Sequence, residues 1–395
     1  MKLLNQLSRV TTSGKTFIPQ IDGLRFVAIM SVVAFHVRAI CSYHLRASPL
    51  GLAVEGDLVN AVFGTGHLGV KLFFAISGFI LSLPFARQHL CAGKRIRLRD
   101  YYIRRVTRIE PPYIIHLMFL FLACGLVLRW LPSHPHLYHN PAWAGYALKH
   151  IVSSLFYANG FIFTSHPYPN IVLWSLETEV QFYILAPFLA GIFLVATPWK
   201  RRTFIVVSIL AGYLIRAGLG DANSYRINFS LLGNYQYFFA GFLLADFYLL
   251  NRIESAARNY KWDLVFPLAI ASVVLLSHHP QLEVLLPWLI LVCCLAAFRG
   301  VLTAQFLGHP WIATIGGMCY TIYMYHWLMI SLLIRLTIRL QTHVLWLDLL
   351  IQFAVMSVII IGVCAVLFAV FERPFMQRDW PQKLWNKIRR PGTEP

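Results

Sequence analysis

The chain has 395 residues, of which 58% are hydrophobic and only 13% are charged, with a mean hydropathy of +0.62. Soluble domains carry about 25% charged residues, so this composition excludes a soluble globular protein. The apolar residues cluster in blocks of about 20, the length that spans a bilayer. The predicted fold class is therefore all-α, a polytopic membrane protein.

Ten membrane-spanning helices are predicted from these blocks. The first keeps Asp22 and Arg25 and lacks a small-residue cleavage site, so we expect it to stay in the mature protein. Residues 1–20 and 376–395 are predicted as cytosolic tails around a transmembrane domain at 21–375, with no soluble catalytic domain on either side. The ten spans are predicted at 22–41, 66–86, 111–131, 174–196, 203–219, 234–250, 264–278, 284–299, 312–334 and 347–371.

The basic residues indicate the orientation of the chain in the membrane. If the N-terminus is cytosolic, the inner segments collect the basic residues of 87–108, 200–202 and 373–390, whereas the outer loops hold far fewer. The positive-inside rule then predicts that both termini are cytosolic. Basic loops beside anionic lipid headgroups explain the net charge of +18 without a nucleic acid.

The longest predicted outer segment, at about 132–173, is rich in His, Pro, Tyr and Asn. We expect this segment to shape an acceptor site on the outer face. Its histidines His134, His136 and His139 are interleaved with prolines and lack a neighbouring carboxylate, which favours a solvated loop over a metal site. The seven cysteines show neither zinc spacing nor a disulfide framework. No metal is therefore expected.

Several polar side chains fall at a similar depth in the outer half of the predicted membrane region. They are His36, Lys71, Glu179, Tyr323 and His326. Taken singly, each could be a hydrogen-bonded packing residue. An ionisable group in hydrocarbon is costly, however, and a shared polar cavity would relieve all of them at once. The coincidence of depths therefore predicts a functional cavity in this layer.

A basic cluster precedes the predicted third span. Arg105 and Arg108 are three residues apart, share a helix face and can bind phosphate oxygens, and Arg104 lies beside them. Arg25 enters the membrane from the same side, and His36 lies about 16 Å further along the first span. This arrangement suits a long ligand with an anionic head and a reactive far end. Coenzyme A, with phosphates at one end and a thioester at the other, has that shape.

The predicted chemistry is acyl transfer to a hydroxyl group. Neutral His36 would remove the proton of the hydroxyl as it attacks the thioester. Glu179 would orient the imidazole or stabilise its protonated form, and a tyrosine hydroxyl or Lys71 would donate to the developing oxyanion. Ser77 lacks the second glycine of a nucleophile elbow and is interpreted as a packing residue.

Short motifs occur in a fixed order along most of the chain. They are Asp22–Arg25 with His36, Phe73–Phe79, Arg104–Ile109 with Pro111, Trp174–Leu176 with Glu179, Tyr320–Tyr323 with His326, and Glu372–Phe375. Through these motifs the sequence closely resembles the acyltransferase 3 family of bacterial membrane acyltransferases over residues 18–375. Any one motif is weak, but six in order are specific.

The resemblance implies an acyl-CoA-dependent O-acyltransferase of the bacterial cytoplasmic membrane. Acetyl-CoA would be the co-substrate, without a metal, and the acceptor would be a sugar hydroxyl of a surface polysaccharide or a lipid-linked glycan precursor. Combined with the residue analysis, this predicts catalytic residues His36, Glu179, Tyr323 and His326, coenzyme-binding residues Arg25, Arg104, Arg105 and Arg108, and substrate-binding residues Lys71, Trp174 and Tyr320.

The sequence departs from the family pattern at a few positions. Phe26 replaces a small glycine, Cys319 replaces a serine, and Lys71 stands where an acidic or small polar residue is common. Lys71 is predicted to form a compensating ion pair with Glu177 or Glu179. We also expect the protein to lack the fused extracytoplasmic esterase-like domain of some members. The acceptor would then reach the membrane site itself, or a separate extracytoplasmic transferase would complete the transfer.

Two other functions are compatible with the sequence. A buried layer of charges also occurs in transporters and flippases, although the chain shows no internal repeat of the kind that many transporters contain. Alternatively, the enzyme acylates a glycosylated small molecule rather than a cell-surface glycan.

Overall fold

The structure, a computed structural model, describes residues 7, 18–46, 58–130, 142–219, 225–253, 255–277, 279–340, 342, 344–377 and 380–382. Every regular element within these ranges is helical, which confirms the predicted all-α fold class for the described part of the chain. The α-helices, labelled in chain order, are α1 (Pro19–Arg46), α2 (Leu58–Gly64), α3 (Gly69–Leu90), α4 (Leu98–Trp130), α5 (Ala142–Leu155), α6 (Asn159–Phe163), α7 (Leu173–Leu189), α8 (Pro198–Leu219), α9 (Tyr225–Asn228), α10 (Tyr235–Leu250), α11 (Lys261–Leu276), α12 (Leu286–Arg299), α13 (Leu302–Leu307), α14 (Pro310–Gly317), α15 (Cys319–Thr337) and α16 (Leu345–Leu367).

Several of these helices are suited to crossing a membrane. Helices α14 and α15 are bent by 70° relative to each other and would form one further, broken span. Six helical stretches of the described chain are long and apolar enough to span on their own: Pro19–Ser42, Leu58–Leu90, Leu173–Leu194, Pro198–Leu219, Gln281–Arg299 and Leu345–Met376. The chain is thus a multi-pass membrane protein, as its composition predicted.

The three other predicted spans, at 111–131, 234–250 and 264–278, also coincide with helices, namely α4, α10 and α11. Helices α10 and α11 have only 16 residues each, which is short for a complete crossing. A total of ten crossings and the cytosolic location of both termini therefore stay predictions.

Some predicted features lie outside the described residues. They include the histidines His134, His136 and His139, nearly all of the N-terminal tail, and most of the C-terminal tail.

Helices α3 and α10 pack with their backbones in direct contact. A Cβ atom added to Gly78 of α3 would lie 2.1 Å from the carbonyl oxygen of Phe238, and one added to Gly241 of α10 would lie 2.2 Å from a backbone oxygen of α3. Small residues permit such close crossings between helices in a membrane. The ring of Phe238 stacks on Phe182 of α7 at a centroid distance of 4.0 Å. These contacts place α3, α7 and α10 around one apolar core.

A second close crossing joins α1 and α14. A Cβ atom on Gly316 of α14 would lie 1.7 Å from the carbonyl oxygen of Asp22 in the first turn of α1. The contact holds the start of α1, which carries Asp22 and Arg25, against the bend between α14 and α15. The polar end of α1 is therefore fixed relative to the first turn of α15.

Replacement of Gly316 by alanine should destabilise the protein, because the added methyl group would collide with the Asp22 carbonyl. Overpacking of this kind costs about 1–3 kcal/mol, so the Tm measured in detergent should fall. The matched control is Gly362→Ala, since Gly362 lies on an exposed face of α16 with no atom within 4 Å of an added Cβ. Equal Tm values for the two variants would contradict the proposed role of this crossing.

Candidate active site

Helix α1 brings a buried ion pair to the centre of the helix bundle. The Arg25 Nη1 atom lies 2.5 Å from the Asp22 Oδ1 atom, and the two side chains are only 12% and 4% exposed. The residues are three apart, so they share one face of the helix. A guanidinium buried without a counterion would be strongly destabilising, and Asp22 supplies that counterion.

Arg25 lines a cavity formed by α1, α3, α4, α7, α15 and the π-helical turn Phe368–Glu372 that ends α16. The space between its walls is about 970 Å³, a figure that includes the open mouth. Its polar lining consists of Arg25, Ser77, Arg105, Arg108, Ser175, Glu179, Tyr183, Cys319, Tyr320, Tyr323 and Glu372.

Helix α7 contributes a polar stripe to the cavity. Ser175, Glu179 and Tyr183 follow one another at intervals of four residues, so their side chains share a helix face. The Glu179 Oε1 atom accepts hydrogen bonds from the Tyr183 hydroxyl and from the Ser77 hydroxyl of α3. Ser77 was predicted to be a packing residue, and the structure instead places its hydroxyl in the polar wall of the cavity.

Two of the three predicted coenzyme-binding arginines of α4 line the cavity. The Arg105 guanidinium lies 5.7 Å from the ring centroid of Tyr101 and 5.8 Å from that of Tyr183. Arg108 donates no hydrogen bond to any residue that the structure describes, so its N–H groups are available to a ligand. Arg104, by contrast, is exposed outside the cavity and donates to a backbone carbonyl one turn earlier at 3.0 Å.

Tyr101 lies before the predicted third span, at the entrance of the arginine cluster. Burial raises the pKa of its hydroxyl to about 12, so the ring beside Arg105 stays neutral at physiological pH. A neutral aromatic face holds the guanidinium by a cation–π interaction.

A buried carboxylate anchors α15, the second helix of the bent pair α14 and α15. Glu372 is 3% exposed, and its Oε2 atom accepts hydrogen bonds from the Thr321 hydroxyl at 2.5 Å and from the Thr321 backbone N–H at 3.2 Å. A carboxylate at a helix N-terminus satisfies free N–H groups and complements the helix dipole. The contact fixes the first turn of α15, whose residues Cys319 and Tyr320 line the cavity.

The hydroxyls of two cavity tyrosines are already engaged with the protein. The Tyr320 hydroxyl donates to the Ile109 carbonyl at 3.1 Å, and the Tyr323 hydroxyl donates to the Val172 carbonyl at 3.0 Å. The Ser175 hydroxyl lies 2.5 Å from the Tyr323 oxygen. Because each phenol carries a single proton, this arrangement differs from the prediction that a tyrosine donates to the oxyanion.

Two predicted catalytic histidines contact each other. The His36 Nδ1 atom lies 3.0 Å from the His326 Nε2 atom, and His326 is fully buried. The ring of His326 lies 5.5 Å from that of Tyr323, a cavity residue. The imidazole pair therefore lies directly behind the wall of the cavity. Glu179, predicted to orient His36, instead bonds Ser77 and Tyr183, and His326 takes its position beside the imidazole.

Lys71 and Trp174 lie next to the cavity but do not line it. The Lys71 ammonium is buried, donates to the side-chain oxygen of Asn234, and lies 5.8 Å from the Trp174 ring centroid. The predicted ion pair of Lys71 with Glu177 or Glu179 is not formed, since Glu177 accepts from the Ser154 hydroxyl at 3.0 Å. Asn234 and the aromatic rings stabilise the ammonium in place of a carboxylate.

Sequence reasoning did not predict a catalytic or binding role for four residues of the cavity wall, namely Ser77, Ser175, Tyr183 and Glu372. The four-residue spacing of Ser175, Glu179 and Tyr183 was a usable signal for a polar helix face. Within the described chain no group of three or more His, Cys, Asp or Glu side chains could hold a metal ion.

Comparison with protein families assigns the chain to a family. The family model of an acyltransferase domain, acyltransferase 3, matches residues 18–369. The chain belongs to the acyltransferase 3 family. The matched range includes Arg25, His36, the α7 stripe and His326, so an acyltransferase domain supplies almost all of the described cavity.

Three curated acyltransferase relatives illustrate the similarity. Peptidoglycan O-acetyltransferase OatA of Listeria monocytogenes is 26% identical over 216 residues, which are 52% of this chain and 29% of OatA. "Putative peptidoglycan O-acetyltransferase YrhL" of Bacillus subtilis is 28% identical over 211 residues, 50% of this chain and 28% of YrhL. A "Putative O-acetyltransferase" of Staphylococcus aureus strain COL is 25% identical over 346 residues, 80% of this chain and 51% of the relative.

The chain thus aligns with about half, or less, of the length of these relatives. No solved structure matches the chain significantly.

Proposed function

We propose that this acyltransferase 3 protein is an acyl-CoA-dependent O-acyltransferase of the bacterial cytoplasmic membrane. It transfers an acyl group, most simply acetyl, from cytosolic acyl-CoA to a hydroxyl of an extracytoplasmic carbohydrate. The proposal rests on one observation. The cavity has arginines at one end, and a histidine pair lies behind its wall at the other end. Membership of an acyltransferase family supports the reaction class.

The arginine end of the cavity has the chemistry of a phosphate site. Arg108 has N–H groups without a hydrogen-bond partner among the described residues, and Arg105 lies beside the rings of Tyr101 and Tyr183. Guanidinium groups bind phosphate oxygens through short, charge-assisted hydrogen bonds. This end also lies next to the basic segment at 87–108, which the positive-inside rule assigns to the cytosol. The supply of acyl-CoA from the cytosol fits this orientation.

The histidine end has the chemistry of a general base. In the proposed reaction, His36 takes the proton of the acceptor hydroxyl while the oxygen attacks the thioester carbonyl. The carbon–sulfur bond then breaks, the thiolate of coenzyme A leaves, and His36 returns the proton to that thiolate. No proton is gained or lost overall, so the reaction needs no further co-reactant.

The other polar groups of the cavity serve to hold its walls in this proposal. Glu179 ties α7 to α3 through Ser77, and Tyr320 ties α15 to α4 through the Ile109 carbonyl. Pre-organised walls keep the thioester aligned, which contributes to catalysis by reducing the entropic cost of the reactive geometry.

The identity of the acceptor is inferred from the relatives. OatA and YrhL carry peptidoglycan in their names, which supports a carbohydrate acceptor at the outer face. A cell-wall glycan or its lipid-linked precursor is therefore the acceptor that we propose first. Acylation of a glycosylated small molecule would use the same cavity and the same chemistry.

The Arg108→Gln variant should bind coenzyme A about tenfold more weakly, because a charge-assisted hydrogen bond contributes about 1.5–3 kcal/mol. Isothermal titration with coenzyme A in detergent would measure the change. The matched control is Arg104→Gln, since Arg104 lies on the same helix but outside the cavity. Equal Kd values for wild type and Arg108→Gln would exclude Arg108 from the donor site.

Bound coenzyme A should protect Cys319 from alkylation, because this thiol lines the cavity. In a variant that retains only Cys319, saturating coenzyme A should slow its reaction with N-ethylmaleimide at least about tenfold, as expected when a ligand occupies more than nine-tenths of the sites. A variant that retains only Cys91, an exposed thiol outside the cavity, serves as the control. Labelling of Cys319 at the same rate with and without coenzyme A would place the donor elsewhere.

The His36→Ala variant should lose acyl transfer by about 10²–10⁴-fold, the range that general-base catalysis supplies. Its affinity for coenzyme A should stay unchanged, since the arginine end of the cavity is intact. Release of free coenzyme A from acetyl-CoA in proteoliposomes, with muropeptides as acceptors, measures turnover. Full activity of the variant would remove His36 as the base, and transport of unmodified muropeptides without coenzyme A release would favour a transporter.

A further inference from the structure

The hydrogen bonds of the buried His326 determine which of its ring nitrogens carries the proton. Its Nδ1 atom lies 2.7 Å from the Tyr323 carbonyl oxygen and 3.1 Å from the Ile322 carbonyl oxygen. Carbonyl oxygens only accept hydrogen bonds, so Nδ1 must be the donor. His326 is fully buried, and no described carboxylate hydrogen-bonds to it. A second proton would therefore leave an uncompensated buried charge, and its Nε2 atom is left as an acceptor.

The protonation of His326 also determines which ring nitrogen of His36 carries a proton. The acceptor Nε2 of His326 lies 3.0 Å from the Nδ1 atom of His36. Two bare nitrogens at this distance would repel each other, so Nδ1 of His36 must carry a proton and donate it. In a neutral His36 the Nε2 atom then has a free lone pair. The chain of contacts from two backbone carbonyls thus selects one tautomer of His36.

The Nε2 atom of His36 is the ring nitrogen that does not face His326. His36 is half-buried, and it contacts His326 through its Nδ1 atom. The rings of Phe35 and Trp327 flank the imidazole, each with a centroid distance of 5.1 Å. These rings restrict the orientation of the imidazole.

We propose that His326 is a positioning residue that holds His36 in the Nδ1–H tautomer and so makes Nε2 of His36 the base. The inference rests on the proposed acyltransferase function, in which His36 removes a proton from the acceptor. Free imidazole side chains in water favour the opposite, Nε2–H tautomer. In that form Nε2 already carries a proton, so Nε2 could not accept the proton of the acceptor hydroxyl. His326 therefore selects the form of His36 that is competent for the reaction.

The same contact also serves the protonated state of His36. When Nε2 takes the hydroxyl proton, the positive ring donates from Nδ1 to the neutral Nε2 atom of His326, and a charge-assisted hydrogen bond is stronger than a neutral one. His326 does not itself change protonation state. The proton leaves His36 again when the thiolate of coenzyme A departs. His326 thus performs without charge the orienting task that an aspartate performs in serine-hydrolase triads.

Two substitutions of His326 separate this role from simple packing. His326→Gln keeps a side-chain oxygen near the position of Nε2, so His36 still has an acceptor for its Nδ1 proton. His326→Phe fills a similar volume but offers no acceptor. Both variants, in the full chain and in detergent, would be compared with wild type for kcat, KM for acetyl-CoA, Kd for coenzyme A and Tm, with muropeptides as acceptors.

We expect His326→Phe to lower kcat by about 10²-fold or more, within the range of general-base catalysis, with KM and Kd unchanged. His326→Gln should retain kcat within about tenfold of wild type. Equal kcat losses in the two variants, or a wild-type kcat in His326→Phe, would overturn the proposal, because a packing role does not distinguish an acceptor from an apolar ring.

A spectroscopic measurement tests the tautomer without relying on activity. The chain has 15 histidines, so the ¹⁵N resonances of His36 would be assigned by their loss in His36→Gln. We expect a protonated Nδ1 and a bare Nε2 in wild type, and a shift to the Nε2–H form in His326→Phe. An Nε2–H tautomer in wild type would overturn the inference. If instead wild type released no coenzyme A with any hydroxyl acceptor, the proposed function would fail while this spectrum still decided the tautomer.

Discussion

The cost of burying charge inside a membrane-embedded helix bundle is the constraint on which the rest of this structure depends. Every charged group at the cavity needs a partner, a ligand or contact with water. Asp22 neutralises Arg25, the first turn of α15 satisfies Glu372, and Ser77 satisfies Glu179. Two of these contacts also join separate elements at the cavity: Ser77 with Glu179 joins α3 to α7, and Thr321 with Glu372 joins α15 to the turn that ends α16. Satisfying these two buried carboxylates therefore also fixes parts of the cavity wall.

The cavity is chemically asymmetric along its length. Its arginine end contains the guanidinium groups of Arg105 and Arg108. Its other end contains neutral groups, with Tyr323 bonded to a carbonyl and the pair of His36 and His326 behind it. A charged end suits recognition of phosphate, whereas a neutral, dry end strengthens hydrogen bonds and suits proton transfer. An extended ligand with a phosphate head and a thioester tip matches both ends.

Part of this arrangement follows from local sequence patterns and part does not. The depths of His36 and His326 follow from their positions in apolar blocks, so their proximity was predictable. The pairing itself was not, because Glu179 has a similar depth and a stronger charge. In the structure the rotation of α7 turns Glu179 toward Ser77 of α3, and the rotation of α15 turns His326 toward His36. Helix rotation depends on packing against neighbouring helices, which a single sequence does not reveal.

The sequence by itself determined that this is an all-helical membrane protein of the acyltransferase 3 family, because apolar block length and short motifs are local properties. It also determined which α4 residues carry charge. Only the tertiary structure decided that Arg105 and Arg108 enter the cavity while Arg104 faces outward, and that Lys71 is held by Asn234 rather than by a carboxylate. The physical reason is that side-chain partners are chosen by contacts between helices far apart in sequence, whose rotation and crossing are decided by close backbone packing.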